Sequence, residues 1–167
     1  IRQMHVLQID TINVVARSPY LVLWSRLGDY DPKWLENLLA KGHLFEYWSH
    51  AACFLPIEDF AYYRLSMMTR GSEDSGWRRW MNDHQEVMER VLNHVRENGD
   101  VRSADFERTD GKKGGWWNHK DEKVALEALF NSGELMIRKR HNFQRIYDLR
   151  ERILPDWDEA QAATKEQ

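Results

Sequence analysis

The chain has 167 residues, which is enough for one domain or two small ones with a buried core. Its formal net charge is -3, so it is not a uniformly basic protein, and any contact with nucleic acid must come from local clusters of Lys and Arg. The single cysteine, Cys53, excludes an internal disulfide and suits a reducing cytoplasm, and no apolar run approaches the roughly 20 residues that span a membrane.

The first predicted element is a short strand within residues 6–12, which holds two polar side chains, Gln8 and Asp10, among apolar ones. In an extended strand, side chains two positions apart point to the same face, so the carboxamide and the carboxylate would project together. Such a pair can hold a water molecule, with the amide orienting it and the carboxylate accepting its proton or facing a developing cation. The structural alternative is that Asp10 or Thr11 caps a helix, which we predict over residues 12–18.

The rest of the first half predicts a helix, a hairpin and a second helix, each with its own start or stop signal. These elements are a helix that starts at Asp31 and Pro32 and stops at Gly42, strands at 44–50 and 51–55, and a helix over 57–68. Residues 70–76 are rich in Gly, Ser and charged residues and predict a loop, which we take as a boundary between subdomains.

The second half predicts the same kinds of element in a similar order. They begin with a long amphipathic helix over 77–98, a short strand at 101–102 and a short helix capped by Ser103. A basic loop at 109–115 and a helix over 119–131 follow. The last elements are strands at 134–140 and 143–147, with His141 and Asn142 as the turn, and a closing helix at 149–154.

Two segments match when the chain is aligned on Gly42 and Gly133. The apolar positions that coincide are Leu35, Leu38, Leu39 and Leu44 in the first segment and Leu126, Leu129, Phe130 and Leu135 in the second. A short strand, helices and a two-stranded wing form the winged-helix plan. We therefore predict an α+β fold that is mainly α with short β-hairpin wings: tandem winged helices over 1–70 and 77–155, and a tail over 156–167. The first repeat lacks its opening helix and residue 1 is not Met, so we expect an internal fragment of a longer chain.

The functional consequence of this fold is DNA contact by the second wing and by the basic loop before its helix. Basic groups beside aromatic ones suit phosphate contact combined with stacking on a base. The candidate residues are Arg138, Lys139, Arg140, Arg145, Lys112, Lys113, Lys120, Trp116 and Trp117. The alternative is a solvated charged hairpin with the two tryptophans in the core.

The first wing is aromatic and not basic. Its Tyr47, Trp48 and His50 are candidates for lining a pocket for a base, or else they belong to the packed interior. A structural role is the simpler interpretation of His50.

Several motifs resemble the AlkZ-like winged-helix DNA glycosylases, and in particular the branch of that family that unhooks interstrand crosslinks. They are residues 7–12 (LQIDTI), 17–27 (RSPYLVLWSRL), 46–50 (EYWSH), 102–106 (RSADF), 115–117 (GWW) and 143–149 (FQRIYDL). The resemblance extends over nearly the whole chain.

The resemblance implies hydrolysis of the N-glycosidic bond of alkylated bases, including crosslinked ones, without a metal or organic cofactor. Gln8, Ile9 and Asp10 match the family's catalytic signature in its Gln-to-Asp version. The implied protein is a monofunctional glycosylase that acts as a monomer on double-stranded damaged DNA, away from membranes, in the bacterial cytoplasm. Two other interpretations stay open: a winged-helix DNA-binding or regulatory protein without chemistry, and a fragment that is inactive because parts of the DNA channel are missing.

Overall fold

The computed structural model describes residues 1–70, 76–107 and 120–164. The helices are α1 (Ser18–Leu27), α2 (Lys33–Ala40), α3 (Phe60–Arg70), α4 (Gly76–Asp83), α5 (Gln85–Asn98), α6 (Asp121–Asn131) and α7 (Arg150–Ile153). The strands are β1 (Leu7–Gln8), β2 (Leu44–Trp48), β3 (Ala52–Pro56), β4 (Leu135–His141) and β5 (Gln144–Leu149). The predicted α+β class is thereby confirmed.

A three-stranded antiparallel sheet organises the first half of the chain. Its strand order is β1-β3-β2, with Leu7 opposite Phe54 and Gln8 opposite Cys53. The hairpin of β2 and β3 agrees with the predicted strands to within two residues at each end. The short strand β1 therefore lies at an edge of the sheet, beside the end of β3 that follows the hairpin turn.

The second half contains a two-stranded sheet of β4 and β5, to which Val101 adds a bridge opposite Tyr147. Asn142 and Phe143 occupy the tip of this hairpin with φ of +48° and +66°. Two successive residues with positive φ are typical of a type I′ turn, which fits the twist of the strands. The turn therefore lies one residue later than predicted, because His141 still belongs to β4.

The helix before each hairpin ends in the same way. Gly42 and Gly133 adopt φ of +71° and +77°, a region that glycine occupies without strain. In both cases the residue after the glycine donates its backbone N–H to a carbonyl five residues earlier, at 2.9 and 3.0 Å. This double match in helix end and hairpin is the structural counterpart of the alignment on the two glycines.

One hydrophobic core runs through both halves of the described chain. Phe45 of β2 packs edge-on against Phe60 at a ring distance of 5.3 Å, and Tyr47 contacts Phe130 of α6 at 5.6 Å. Fully buried residues from the two halves, such as Leu55 and Leu135, belong to the same cluster. The division into domains at residues 70–76 stays a prediction, since residues 71–75 lie outside the described ranges, as do 109–115.

One predicted helix is wrong and a second is interrupted. Residues 12–17 form no helix, because Asp10 accepts the backbone N–H of Ile12 in a local turn and Pro19 favours a helix start at Ser18. The long helix predicted over 77–98 is interrupted at His84, which has non-helical φ and ψ of -123° and 31°. Its Nδ1 lies 2.8 Å from the carbonyl oxygen of Trp80, and its ring stacks on Trp80 at 4.3 Å.

No helix within the described residues is both long enough and apolar enough to cross a membrane.

Candidate active site

Gln8 is exposed because of the alternation of side chains along β1. Its neighbours Leu7 and Ile9 are buried, at 2% and 8% exposure, and the Ile9 backbone N–H donates to Ala52 at 2.7 Å. Residues that alternate along a strand point to opposite faces, so Gln8 faces solvent while its neighbours enter the core. The predicted orientation of the carboxamide, away from the interior, agrees with this placement.

Asp10 follows two residues later and is half-buried. Its Oδ1 accepts the backbone N–H of Ile12 at 2.8 Å, which fixes the orientation of the carboxylate at the start of the turn. The structural alternative was a cap for a helix over residues 12–18. That helix is absent, since α1 begins at Ser18. The carboxylate belongs to a short irregular segment between the sheet and α1.

His50 is the residue that the structure brings to Gln8. Its Nε2 lies 3.2 Å from Oε1 of Gln8, across 42 positions of sequence. The contact follows from the sheet order, because β1 pairs with β3 and His50 lies in the turn between β2 and β3. The ring nitrogen acts as the donor when Nε2 carries the proton, which holds the carbonyl end of the amide toward His50. Sequence reasoning named both residues but did not pair them.

Tyr47 and Trp48 have different environments from each other. Tyr47 is buried, and its hydroxyl donates to the carbonyl of Asn131 at 2.7 Å, so it belongs to the packed interior and not to an open pocket. Trp48 is 38% exposed, and its Nε1 donates to the Asn131 side chain at 2.9 Å. Of the three predicted pocket residues, Trp48 and His50 reach the surface and Tyr47 does not.

The basic residues of the second hairpin are bound to acidic partners. Arg140 forms a two-pronged pair with Glu46, at 2.8 and 2.9 Å, and Arg145 reaches the same carboxylate at 2.6 Å. The Glu46 side chain is completely buried, so both guanidinium groups face the protein interior. Burial by itself would lower the pKa of Arg145, but the Glu46 carboxylate, together with Tyr147, raises that pKa above its ordinary value.

The other predicted DNA contacts fall into three groups. Arg138 pairs with Asp148 at 3.2 Å and Lys139 with Asp100 at 2.5 Å, yet their side chains remain 40% and 48% exposed. Lys120 donates to the backbone carbonyls of Ser103 and Phe106. The remaining four, Lys112, Lys113, Trp116 and Trp117, lie outside the described residues.

Arg17 joins the segment after Asp10 to the second hairpin. Its guanidinium lies 4.0 Å from the centre of the Phe143 ring, and Nη1 donates to the carbonyl of Thr11 at 2.9 Å. Arg140 approaches the same ring at 4.4 Å, so two cations contact Phe143. Sequence reasoning missed this contact, because nothing in the local pattern joins residues so far apart.

A polar cavity opens beside this contact. It is lined by Arg17, Tyr20, Glu36, Arg140, His141, Asn142 and Phe143. Burial, and then the hydrogen bond that the Tyr20 hydroxyl donates to Glu36 at 3.1 Å, raise the pKa of Tyr20 to about 12. The phenol therefore stays protonated at physiological pH and acts there as a hydrogen-bond donor.

Residues 1–70, 76–107 and 120–164 contain no cluster of three or more His, Cys, Asp or Glu side chains that could hold a metal ion. The expectation of a reaction without a cofactor stays a prediction.

Comparison with protein families gives the class of the protein. The model described as "DNA glycosylase AlkZ-like" matches residues 1–167, the whole of the chain. The protein therefore belongs to the AlkZ-like DNA glycosylase family, as the resemblance in its motifs indicated. No solved structure matches the chain.

Proposed function

We propose that this protein hydrolyses the N-glycosidic bond of purines alkylated at N7 and unhooks interstrand crosslinks formed at that position. The observation that carries the proposal is an exposed carboxamide, Gln8, held by His50 and followed two residues later by the half-exposed carboxylate of Asp10. The proposed enzyme is monofunctional and acts as a monomer on double-stranded DNA, without a metal or organic cofactor.

The chemistry requires a nucleophile and stabilisation of charge on the sugar. Alkylation at N7 makes the base cationic, so the bond from C1′ to the base breaks with its electron pair returning to the base. The Asp10 carboxylate faces the resulting oxocarbenium-like sugar and accepts a proton from the attacking water. The water oxygen then forms the new bond to C1′ and leaves an abasic site.

His50 determines how Gln8 can hold that water. When Nε2 of His50 donates to Oε1, the amide group of Gln8 has its N–H bonds free to donate to the water oxygen. The water then receives a hydrogen bond from Gln8 and gives one to Asp10, which leaves a lone pair for C1′. No general acid is needed, because the leaving base is already charged.

We interpret the two units of helix, glycine stop and hairpin as tandem winged helices. The matching helix ends at Gly42 and Gly133 and the matching third-strand pairings at Leu7 and Val101 support this interpretation. A crosslinked base stays tied to the opposite strand, so full extrusion into a closed pocket is excluded for that substrate. The exposure of Gln8 supports an open channel instead.

We propose phosphate contact only for those basic residues whose side chains remain exposed or that are candidates from sequence alone. Arg138 and Lys139 retain accessible surface, and Lys112, Lys113, Trp116 and Trp117 remain candidates from sequence. Arg140 and Arg145 act through Glu46, because their guanidinium groups are largely removed from solvent. Lys120 is similarly directed at backbone carbonyls.

Asp10→Asn tests the catalytic assignment. The substrates are duplexes with N7-methylguanine or a nitrogen-mustard crosslink, and alkali reveals abasic sites after the reaction. Loss of an acid/base or electrostatic group costs on the order of 10²-fold or more in rate, so single-turnover excision should fall by that factor. The Kd for the lesion duplex should change by less than about threefold, since the half-buried carboxylate is replaced by an amide of equal size.

Asp31→Asn is the matched control. Asp31 makes the same turn as Asp10, with Oδ1 accepting the backbone N–H two residues later at 2.9 Å, and it precedes α2. Its replacement should leave excision unchanged. Normal excision by Asp10→Asn would refute the assignment. Binding without any excision by the unmodified chain would favour the two other interpretations, a non-catalytic DNA-binding protein or an inactive fragment, over the proposed activity.

A further inference from the structure

The segment after Asp10 exposes three large aliphatic side chains. Ile12 is 68% exposed, and Val14 and Val15 are each 88% exposed. We call residues 12–17 the valine loop. Isolated exposed aliphatic residues are ordinary, but three within four positions, next to the proposed catalytic carboxylate, form a local apolar tip that water solvates poorly.

The valine loop is held firmly at its base. A backbone bridge between Asn13 and Arg17 closes it, so Val14 and Val15 lie in the bend between the bridged positions. The Asp10 carboxylate accepts the N–H of Ile12, and Arg17 reaches both the Thr11 carbonyl and the ring of Phe143. β-Branched side chains have few rotamers, so the tip itself is also stiff.

We propose that Val14 and Val15 form a wedge that enters the base stack of duplex DNA beside the lesion. The inference rests on the proposed function, which brings the damaged nucleotide to Asp10. Val14 lies four positions after Asp10, so the tip lies at most about 14 Å along the chain from the carboxylate, within a few base steps of roughly 3.4 Å each.

The surroundings of the valine loop favour stacked base pairs as the partner that it contacts. Apolar wedges such as Leu, Ile and Phe enter base steps in proteins that open or kink a duplex, and they act beside basic groups that hold the backbone. Here the cation of Arg17 lies at the base of the loop, where it complements a phosphate, while the tip is uncharged.

The wedge also answers a requirement of the substrate. A crosslinked purine cannot swing out of the duplex, so C1′ must be exposed by separating it from its neighbour. Val14 and Val15 would fill the opened step and replace the lost stacking with apolar contact.

The test is a double variant, Val14→Ser with Val15→Ser, in the full chain. Both side chains are almost fully exposed, so the variant should keep its fold and its thermal stability. The duplex carries 2-aminopurine next to N7-methylguanine, and its fluorescence rises when the neighbouring base is unstacked. We expect the rise seen on binding of the unmodified protein, recorded by stopped flow before excision, to be largely lost in the variant.

Excision by this double variant should fall by about tenfold or more on an intact duplex. The defect should shrink when the lesion has a mismatched or abasic neighbour, because that step is already unstacked. The variant with isoleucine at both positions should remain active, since it retains an apolar tip.

Tyr62→Ser with Met68→Ser is the matched control, because these residues are also exposed, at 62% and 52%, but lie on α3. This control should behave as the unmodified protein does. If the valine variant gave the same fluorescence rise and the same excision rate as the unmodified protein, the wedge proposal would be overturned. Failure of the proposed function would look different, as the unmodified protein itself would then excise nothing.

Discussion

The two ends of the Gln8 amide differ chemically, and in the proposed mechanism His50 determines which end is turned to the substrate. A donor at Nε2 of His50 fixes Oε1 and leaves the amide N–H bonds for water. Without that donor the amide can rotate, and half of its orientations present the wrong group. In the proposed mechanism the histidine is therefore a positioning residue whose effect depends on Gln8.

His50→Ala should reduce single-turnover excision by about tenfold and leave the Kd for lesion DNA within about threefold. His50→Gln should restore most of the rate, because a glutamine amide nitrogen can occupy the place of Nε2 and donate to Gln8. The double variant, Gln8→Ala with His50→Ala, should lose no more of the excision rate than Gln8→Ala alone, because the effects of coupled residues are not additive.

The control for this experiment is His43→Ala, at an exposed histidine before β2, which should have no effect. A glutamine variant as slow as the alanine variant, or additive effects with Gln8→Ala, would assign His50 a role independent of the amide.

What the sequence could and could not predict at this scale follows from the range of each signal. Spacing along one strand was enough to propose that Gln8 and Asp10 act together. Pairing Gln8 with His50 requires the strand order, which no local pattern contains. Arg140 and Arg145 were assigned to DNA because a basic strand looks the same whether it faces phosphate or a buried acid. The available signal was Glu46, a charge within a strand whose burial requires a partner.

The elements were predicted best where a stop residue defines them. The two hairpins and the helices before them follow from glycine stops and alternating patterns, and both are present. The helix predicted after Thr11 is absent. The prediction relied on Thr11 as a helix cap and did not consider that Asp10 could form a turn there. The break at His84 has no sequence signal of the usual kind, since neither Gly nor Pro is involved.

The two glycine stops offer a prediction at the level of the element. Gly42 and Gly133 have nearly equal positive φ, but a Cβ on Gly133 would lie 2.5 Å from Nη1 of Arg64 and 2.7 Å from Sδ of Met67. At Gly42 the nearest atom would be 3.6 Å away. Arg64 cannot move away easily, because it is buried and bonded to Ser132 and Glu159.

Gly42→Ala should therefore cost about 1–2 kcal/mol of unfolding free energy, the strain of positive φ alone. Gly133→Ala carries the same strain and an overpacking penalty, typically another 1–3 kcal/mol. Urea denaturation of both variants measures the difference. Equal losses at the two positions would mean that Arg64 and Met67 adjust without cost, and the first variant serves as the control for backbone strain.

The whole molecule is joined by a buried ion cluster as well as by a shared apolar core. Glu46 comes from the first hairpin, and Arg140 and Arg145 come from the second, so the cluster fixes one hairpin relative to the other. The same arrangement holds Arg140 over the ring of Phe143, which also contacts Arg17 at the base of the valine loop. The position of that loop thus depends on the buried carboxylate of Glu46.

Glu46→Gln should destabilise the protein by about 3–5 kcal/mol, because it leaves two guanidinium groups in a largely buried site without their counter-charge. The free energy of unfolding from urea denaturation measures this loss. The unfolding transition should stay cooperative, because the apolar core of both halves remains.

Glu58→Gln removes the same charge from an exposed pair, in which Glu58 contacts Arg2 at 2.5 Å with side chains 50% and 79% exposed. Exposed pairs contribute roughly 0–1 kcal/mol, so this variant should be nearly as stable as the unmodified chain. If Glu46→Gln cost no more than Glu58→Gln, the hairpins would be joined by apolar packing alone. A large loss confined to Glu46 instead makes the buried carboxylate the joint that aligns the second hairpin with the segment carrying Asp10.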